Sequence, residues 1–444
     1  MSSDLFLIGA SGTRAYRAAM GAVAENISNA GTENYNRRTV STRESVVSGA
    51  TQVLYRANAS FGGTEVAGVN RANDPYLDAT ARLTGATLAN ANTRLRFGND
   101  IELAINDTES GVGQLMSDMF GSITQLAANP SDPTLRTNML YGIERVVTAF
   151  HQSAQELQSV SDSIATTAEN ETTALNDALA ELGRVNANLL RSKPGTSNFA
   201  QLLDSRDAAL SAITKRADVT ISFADNGTAG ITYNGATVVD GPDVTNFGVT
   251  ANADGTLAFT LGGTATTAPT TGALGGLTQS ATATRQRRDS LDALAVQFAD
   301  DMNTWHAAGT TNAGAAGAPL LTVGTTAASL TQAVTNIADI ATRSSDGTLN
   351  GNLLTISTVR GAGSVEYGWT ALVAGHANQL NTIKSEQAAA ESRDTQARQA
   401  RENVSGVDLD TEAADLLRFQ QAYSGCAKII QVARETFDSI LAIL

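Results

Sequence analysis

The protein has 444 residues, of which 30 are basic and 44 acidic, giving a formal net charge of −14. This length predicts two to four domains or one extended body of several segments. The acidity argues against nucleic acid or an anionic membrane as the main partner. A single cysteine excludes an intramolecular disulfide framework, and three widely separated histidines leave little material for a metal site. Aromatic residues make up only 5% of the chain, so we expect cores built largely from small side chains.

The first segment has the spacing of a helix with one apolar stripe. We call this set the N-terminal stripe; it recurs every three or four residues and consists of Leu5, Ile8, Ala15, Ala19, Val23 and Ile27. Its small members allow another helix to approach closely. No basic region precedes the short apolar run Leu5–Ile8, so we expect no cleaved signal peptide. No stretch reaches the ~20 apolar residues that a membrane-spanning helix needs, and on these tests alone the protein is expected to be cytosolic.

The interior alternates between helical and strand periodicity. Residues 25–35 are too rich in Asn and Gly to continue the first helix, and alternation between 46 and 70 predicts a β-hairpin. Alternation from 218 to 263, with turn dipeptides such as Asn234-Gly235, predicts a small antiparallel β module. Helical spacing is found at 115–126, 139–150, 175–189, 291–305 and 365–401, and residues 129–133 separate the first two of these helices.

The last segment carries a heptad pattern that continues to the final residue. We call its large members the C-terminal stripe; they are Leu409, Leu416, Tyr423, Ile430, Phe437, Leu441 and Leu444. The pattern predicts a helix with Asp410 as its N-cap, paired with the first helix as a coiled coil. Burying these side chains offsets only part of the entropy lost on ordering the segment. We therefore expect both ends to be mobile in the monomer and to become ordered on assembly.

Together these patterns predict a mainly α fold with a smaller β part, arranged as an elongated rod. Residues 1–45 and 407–444 are expected to form a terminal coiled-coil domain. Residues 46–217 and 278–406 are expected to form a long helical-bundle body. The small antiparallel β module, at 218–277, is expected to be inserted into that body.

Residues capable of catalysis are sparse and scattered. No H-E-x-x-H, G-x-S-x-G, P-loop or dinucleotide-binding motif occurs, so we expect neither an enzyme nor a bound cofactor. We expect the three histidines to have surface or packing roles. The segment Leu203–Asp207 is expected to form an ion pair at the start of a helix, and Cys426 to act as a small buried hydrophobe.

Two sets of residues at the chain ends resemble the signatures of the bacterial flagellar axial proteins. The first set is Asn26, Asn29, Thr32, Tyr35 and Arg37, and the second is Asp410, Glu412, Gln421 and Tyr423. Interior segments at 129–136, 202–207, 238–241 and 291–309 are similar to the members that join hook to filament. Where the family has Pro-Gly, this chain has Glu33-Asn34; Asn tolerates positive φ, so the turn is expected to survive.

The resemblance implies a structural subunit of the hook–filament junction, without enzymatic activity. It implies a ring of copies, contacts with the hook protein and with a second junction protein, and flagellar type III export without a cleaved signal. An extracellular location would then follow a transient cytoplasmic stage, with an export chaperone bound at Leu416–Leu444. The alternatives are another axial protein (hook, distal rod or second junction protein), an exported adhesin or enzyme on a flagellar scaffold, or an intracellular coiled-coil scaffold.

Overall fold

The computed structural model describes residues 2–32, 34–45 and 62–442. Over these ranges long helices predominate and the strands are short, which confirms the predicted mainly α class with a smaller β part. The helices are α1 (Ser2–Ser28), α2 (Pro75–Ala104), α3 (Val112–Ala128), α4 (Pro133–Leu189), α5 (Ser197–Thr214), α6 (Gly272–Ala307), α7 (Gly351–Leu354), α8 (Val365–Ser405) and α9 (Leu409–Leu441). The strands are β1 (Arg38–Glu44), β2 (Thr64–Arg71), β3 (Thr220–Phe223), β4 (Ala229–Tyr233), β5 (Ala236–Asp240), β6 (Asp243–Val244), β7 (Phe247–Ala251), β8 (Leu257–Leu261), β9 (Thr264–Thr266), β10 (Leu321–Thr322) and β11 (Thr331–Gln332).

The described strands form small antiparallel sheets, in the orders β1-β2, β3-β4-β5-β6, β7-β8-β9 and β10-β11. The predicted turn dipeptide between β4 and β5 adopts the left-handed region, with φ of 49° at Asn234 and 82° at Gly235. Of the hairpin predicted near 46–70, the second strand is present as β2, but β2 pairs with β1, which precedes the predicted range, and Arg38 lies opposite Arg71. The segment 46–61 of that prediction lies outside the described residues.

The chain divides into two compact units. Unit 1 comprises residues 1–86, 174–246 and 391–444, and unit 2 comprises residues 87–173 and 247–390. The region predicted as one β module contains two separate sheets, β3–β6 in unit 1 and β7–β9 in unit 2. The three-domain division expected from the sequence remains a prediction.

Several predicted boundaries are shifted. Asp410 is not the N-cap of α9, because the carboxylate of Asp408 accepts hydrogen bonds from the backbone N–H groups of Asp410 (2.9 Å) and Thr411 (3.1 Å). Asp408 has extended backbone angles, as an N-cap requires. Helix α8 continues to Ser405, beyond the predicted end at 401. The predicted break at 129–133 is confirmed, since α3 ends at Ala128 and α4 begins at Pro133.

Unit 2 has a core of large side chains. Phe150 and Phe298 stack with ring centroids 5.9 Å apart. Trp369 is fully buried, and its indole Nε1 donates to Asp107 at 3.0 Å. Further fully buried members of this core are Phe97, Ile101, Ile105, Met116, Met119, Ile123, Leu126, Met139 and Ile143. In unit 1, α5 and the β3–β6 sheet bury smaller aliphatic residues, among them Leu210, Ile213, Ile231, Val238 and Val239.

Candidate functional site: the terminal helix pair

Helices α1 and α9 pack side by side and antiparallel in unit 1. Gly12 lies opposite Cys426, where an added Cβ would be 2.5 Å from the Sγ atom. Further along the pair, the rings of Tyr16 and Phe419 lie 6.3 Å apart. The expected small-residue stripe on α1 therefore serves close helix packing, with Ala15, Ala19 and Val23 buried. Cys426 is half-buried, and burial raises the pKa of its thiol.

The face of α9 that meets α1 is not centred on the C-terminal stripe, although one member of the stripe, Ile430, lies against Gly9 of α1. Only Glu412 and Ala433 are buried on this helix, and the half-buried residues between them continue the same face: Asp415, Phe419, Ala422, Cys426 and Ile429. This face is offset by one residue from the predicted stripe, which rotates it by about 100° on an α-helix. Leu416 and Ile430 lie at the boundary and are half-buried. The remaining described members are exposed: Leu409, Tyr423, Phe437 and Leu441.

The two ends of the N-terminal stripe are also uncovered. Leu5 and Ile27 are exposed, whereas Ile8 is half-buried. Phe6 and Leu7 add two further exposed apolar side chains to the first turns of α1. Leu444, the last member of the C-terminal stripe, lies outside the described residues. The helix pair thus has a covered inner face and an apolar outer face.

A network of buried polar groups fixes one end of the helix pair. We call Asn26, Tyr35, Arg37 and Glu412 the polar anchor. The Asn26 amide donates to a Glu412 carboxylate oxygen at 3.0 Å and to the backbone oxygen of Arg38 at 2.8 Å. Its carbonyl oxygen accepts from the Tyr35 hydroxyl at 2.9 Å. The guanidinium of Arg37 donates to the other oxygen of Glu412 at 2.6 Å. Because Asn26 and Glu412 have no exposed surface, their polar atoms depend on hydrogen-bond partners inside the protein.

A set of arginine–aspartate pairs continues from the polar anchor into α5. Asp204 accepts from Arg38 at 2.8 Å and from the Asn36 amide at 2.9 Å. A carboxylate oxygen of Asp204 also lies 2.8 Å from Nε of Arg71, and Nη2 of Arg71 donates to Asp207 at 2.6 Å. The strand pair β1–β2 is thereby held against α5 by charged groups.

The electrostatics of this region follow from burial. Desolvation raises the pKa of Tyr35 to about 12, against the opposing effect of the Arg38 guanidinium. Burial acts to lower the pKa of Arg38, but the hydrogen bond to Asp204 and the neighbouring carboxylates outweigh it, so this pKa is raised. Tyr35 is therefore a neutral hydrogen-bond donor and Arg38 a permanent cation at any physiological pH.

The structure brings together four of the nine signature residues: those of the polar anchor. Asn29 and Thr32 lie beside it at the end of α1, where the Asn29 amide donates to the backbone oxygen of Glu25 at 2.9 Å. Asp410, Gln421 and Tyr423 lie on the outer side of α9 and are exposed. Asn34 has φ of 64°, which confirms that asparagine supports the turn where the family has glycine.

Arg38 and Arg71 were not predicted to be site residues, and Asp204 was predicted only as part of an ion pair within 203–207. The ion pair predicted within 203–207 is present, since the guanidinium of Arg206 lies 2.7 Å from a carboxylate oxygen of Asp207. Its predicted place at a helix start is wrong, because α5 begins at Ser197 and both residues lie inside it. The available signal was the spacing of Asp204 and Asp207, which places both carboxylates on one face of a helix. Among the described residues, no group of three or more His, Cys, Asp or Glu side chains could hold a metal ion. The arrangement joins chain segments and offers no unpaired nucleophile or base.

Two family models match parts of the chain. Residues 99–321, half of the chain, match the family model for the helical domain of the flagellar hook-associated protein FlgK. Residues 398–443 match the model for the C-terminal region of the flagellar basal body rod FlgEFG proteins. None of the described helices is long and apolar enough to cross a membrane.

Individual relatives are similar over nearly the whole chain. The flagellar hook-associated protein 1 of Escherichia coli is 24% identical, with 98% of each chain covered. That of Salmonella typhimurium is 22% identical with the same coverage. The E. coli alignment runs over 550 positions, so that relative contains segments without a counterpart in these 444 residues. A solved structure of FlgK from Burkholderia pseudomallei is similar at a TM-score of 0.49 and 20% identity, covering 55% of this chain and 47% of that one. Because the family model matches half of its length, the chain belongs to the family of flagellar hook-associated proteins represented by FlgK.

Proposed function

We propose that this protein is a structural subunit of the bacterial flagellum that forms the junction between hook and filament and allows the filament to assemble. The observation that carries the proposal is the polar anchor, in which Asn26 and Glu412 meet although 386 positions separate them in the chain. Four signature residues from the two ends thus meet in one site, whose central pair, Asn26 and Glu412, is buried. The family match and the names of the relatives supply the junction as its place of action.

The partners in this proposal are further copies of the chain in a ring, the hook protein and the second junction protein. The exposed apolar side chains of α9 support such contacts, because the exposure of Phe437 and Leu441 to water does not stabilise a monomer. Leu5, Phe6 and Leu7 on α1 offer a second apolar surface. Ordering of the mobile ends on assembly is part of the same proposal.

Export is the second part of the proposal. A flagellar type III route without a cleaved signal would take the protein from the cytoplasm to an extracellular position on the flagellum. A FlgN-like chaperone would bind Leu416–Leu444 before export and cover the outer face of α9. Removal of the last twenty residues is expected to abolish both chaperone binding, measured by co-purification, and incorporation into flagella.

The alternative of another axial protein is less well supported. The rod-type match covers only the C-terminal segment, which axial proteins share, whereas the interior matches the FlgK helical domain. Electron microscopy of cells that lack the protein distinguishes a junction subunit from another axial protein. Hooks without filaments, with filament subunits lost to the medium, are expected for a junction subunit. A strain with the gene restored is the control. Cells without hooks would indicate a rod or hook protein, and filaments of normal number would contradict both.

A further inference from the structure

One segment of unit 2 is held in place largely by side chains of the helices around it. Residues 308–350 connect α6 to α7 and contain only short regular elements, among them the strand pair β10–β11 and two 3₁₀ turns. We call this segment the strap. A segment with so little regular structure opens at a lower free-energy cost than the long helices of the same unit. Its buried apolar side chains are Leu320, Leu321, Ala327, Leu330, Val334, Ile340 and Ala341.

Polar side chains of α4 and α6 anchor the strap through its backbone. The guanidinium of Arg136 donates to the backbone oxygen of Ile337 at 2.8 Å. The amide of Asn303 binds both backbone groups of Leu321, the oxygen at 2.8 Å and the N–H at 2.9 Å. Neither a guanidinium nor an amide changes its charge near neutral pH. These two anchors are therefore independent of pH.

His306, near the end of α6, binds two separate parts of the strap. Its Nδ1 donates to the backbone oxygen of Ala318 at 2.6 Å, and its Nε2 accepts from the N–H of Ala341 at 2.8 Å. The side chain has no exposed surface, and a Cβ added to Gly317 would lie 2.7 Å from Nδ1. Burial lowers the pKa of His306, against the opposing effect of the bond to Ala318. The strap is thus closed on a neutral imidazole.

Protonation of His306 is incompatible with the closed strap. A proton on Nε2 replaces the acceptor by a donor, which then faces the N–H of Ala341. Both donors are left without an acceptor at a buried position, which costs free energy. Opening the strap exposes the imidazole to water, where its pKa returns to about 6.5. Below that pH, each further unit therefore favours the open strap over the closed one by up to about tenfold.

The other titratable side chains that hold the strap do not produce this release. Nε2 of His151 donates to the backbone oxygen of Leu330 at 2.6 Å, and a protonated ring keeps that donor. Asp292 accepts from the N–H of Ala327 at 2.7 Å, and burial raises its pKa, so acid favours the closed form there. Hydrogen bonds within the strap hold the pKa of Asp346 below its usual range, so this carboxylate stays ionised near pH 5.

The charged groups beside the His306 contacts do not stabilise a protonated ring. Arg343 of the strap and Arg136 of α4 are cations, which repel an imidazolium. Asp339 is exposed to water, and the nearest acid on α6 itself is Asp301, more than one turn earlier. Among the described residues, no charged side chain acts on the pKa of His306 beside burial and the backbone hydrogen bond.

We propose that His306 is a pH-sensitive latch of the strap, whose protonation releases residues 315–321 and 338–343 while the helices of unit 2 stay folded. The inference stands on contacts within unit 2 and does not depend on the proposed function. It gives the protein a segment that opens in mildly acidic solution and closes again at neutral pH.

Amide hydrogen exchange of the purified full chain at pH 7 and pH 5 tests the latch. Each rate is divided by that of an unprotected peptide at the same pH, which removes the pH dependence of the exchange chemistry. Protection of 315–321 and 338–343 should fall by about tenfold, with an upper limit of about 25-fold. Helix α3 should stay more protected than the strap at both pH values, because the opening is local. Equal strap protection at both pH values, or exchange of α3 as fast as that of the strap, would overturn the proposal.

Two matched glutamine variants identify the histidine responsible. His306→Gln supplies one donor and one acceptor, as the neutral imidazole does, and does not titrate. Its strap should therefore be equally protected at pH 7 and pH 5. His151→Gln removes the other histidine that binds the strap and should keep the wild-type pH dependence. A folded His306→Gln that keeps the pH dependence, or a His151→Gln that loses it, would refute the latch. The wild-type measurement decides the matter even where His306→Gln does not fold.

Discussion

The core of unit 2 and the terminal helix pair of unit 1 use their large side chains in opposite ways. In unit 2, Trp369, Phe150 and Phe298 are buried and stabilise the fold directly. In the helix pair, small residues form the inner contact, and large ones such as Phe437 face outward. The polar anchor, rather than apolar burial, fixes the inner contact. Unit 2 therefore has a core of its own large side chains, whereas the exposed large side chains of the terminal pair are available for the contacts with other chains proposed above.

The variant with the largest expected effect creates a cavity in the core of unit 2. Trp369→Ala removes a fully buried indole and leaves the Asp107 carboxylate without its donor. We expect the free energy of unfolding to fall by about 4 kcal/mol. Urea unfolding followed by circular dichroism measures it. Tyr367→Ala, at an exposed position of the same helix, should change it by less than about 0.5 kcal/mol. Equal effects of the two variants would show that Trp369 is not part of a close-packed core.

The corresponding test in the terminal pair removes a charge. Glu412→Ala leaves Arg37 and Asn26 without their shared partner. Breaking a buried pair in this way costs about 3 kcal/mol, and the loss should be confined to α1, α9 and the β1–β2 pair. Amide hydrogen exchange by mass spectrometry locates it. Glu435→Ala, at an exposed carboxylate of the same helix, serves as the control. Exchange that increases equally across unit 2 would contradict a local anchor.

Two glycines of α1 distinguish close packing from simple helix propensity. Gly12→Ala places a Cβ 2.5 Å from Sγ of Cys426, whereas Gly21→Ala meets nothing within 4 Å. Alanine is favoured over glycine in a helix by about 1 kcal/mol, so Gly21→Ala should stabilise the protein. Gly12→Ala should instead destabilise it by about 1–2 kcal/mol. Melting temperatures compare the two. Adding Cys426→Ala should recover most of the loss, and no recovery would refute the close contact.

Unit 2 is also expected to lose stability in acid. His306 is fully buried and neutral: its Nδ1 donates to the oxygen of Ala318 at 2.6 Å, and its Nε2 accepts from the Ala341 N–H at 2.8 Å. Burial lowers its pKa below the usual 6.5. Below about pH 6.5 the unfolded chain therefore binds a proton that the folded chain does not, and stability falls with pH.

The loss from His306 between pH 6.5 and 5.5 is expected to be at most about 1 kcal/mol, the limit for a histidine that stays neutral in the folded chain. Urea unfolding at both pH values measures it, with His306→Gln as the comparison. The variant should lose less stability over the same interval, because it keeps the contribution of His376, whose pKa burial also lowers, but not that of His306. An unchanged pH dependence in the variant would exclude His306 as its source.

The sequence was a good guide wherever the determining interactions are local. Helical spacing identified α3, α4, α6, α8 and α9, and the dipeptide Asn234-Gly235 identified a hairpin turn, because backbone preferences act over a few residues. The family signatures singled out both Asn26 and Glu412, but no pattern in the sequence predicted that these two side chains meet.

The orientation of α9 and the charged pairs could not be predicted from local sequence patterns. A heptad pattern shows that a helix has an apolar stripe and does not show which partner covers it. On α9, the anchor at Glu412 sets the rotation, so the narrower face of Phe419, Ala422 and Cys426 meets α1. The pairing of Arg38 with Asp204 spans 166 positions and depends on the packing of β1 against α5. No local signal fixes such a contact.

The smallest effect on the monomer is expected from the outer face of α9, and it separates folding from assembly. Phe437→Ser replaces an exposed side chain and should change monomer stability by less than about 0.5 kcal/mol. Phe419→Ser makes the same change on the inner face, where the ring packs near Tyr16, and should destabilise the helix pair. Thermal unfolding of the monomer and incorporation into flagella are measured for both. Because the exposed ring of Phe437 does not stabilise the single chain, the Phe437→Ser variant should unfold like the wild type. It should nevertheless fail to incorporate into flagella. Normal incorporation of Phe437→Ser would show that α9 meets its partners through another face.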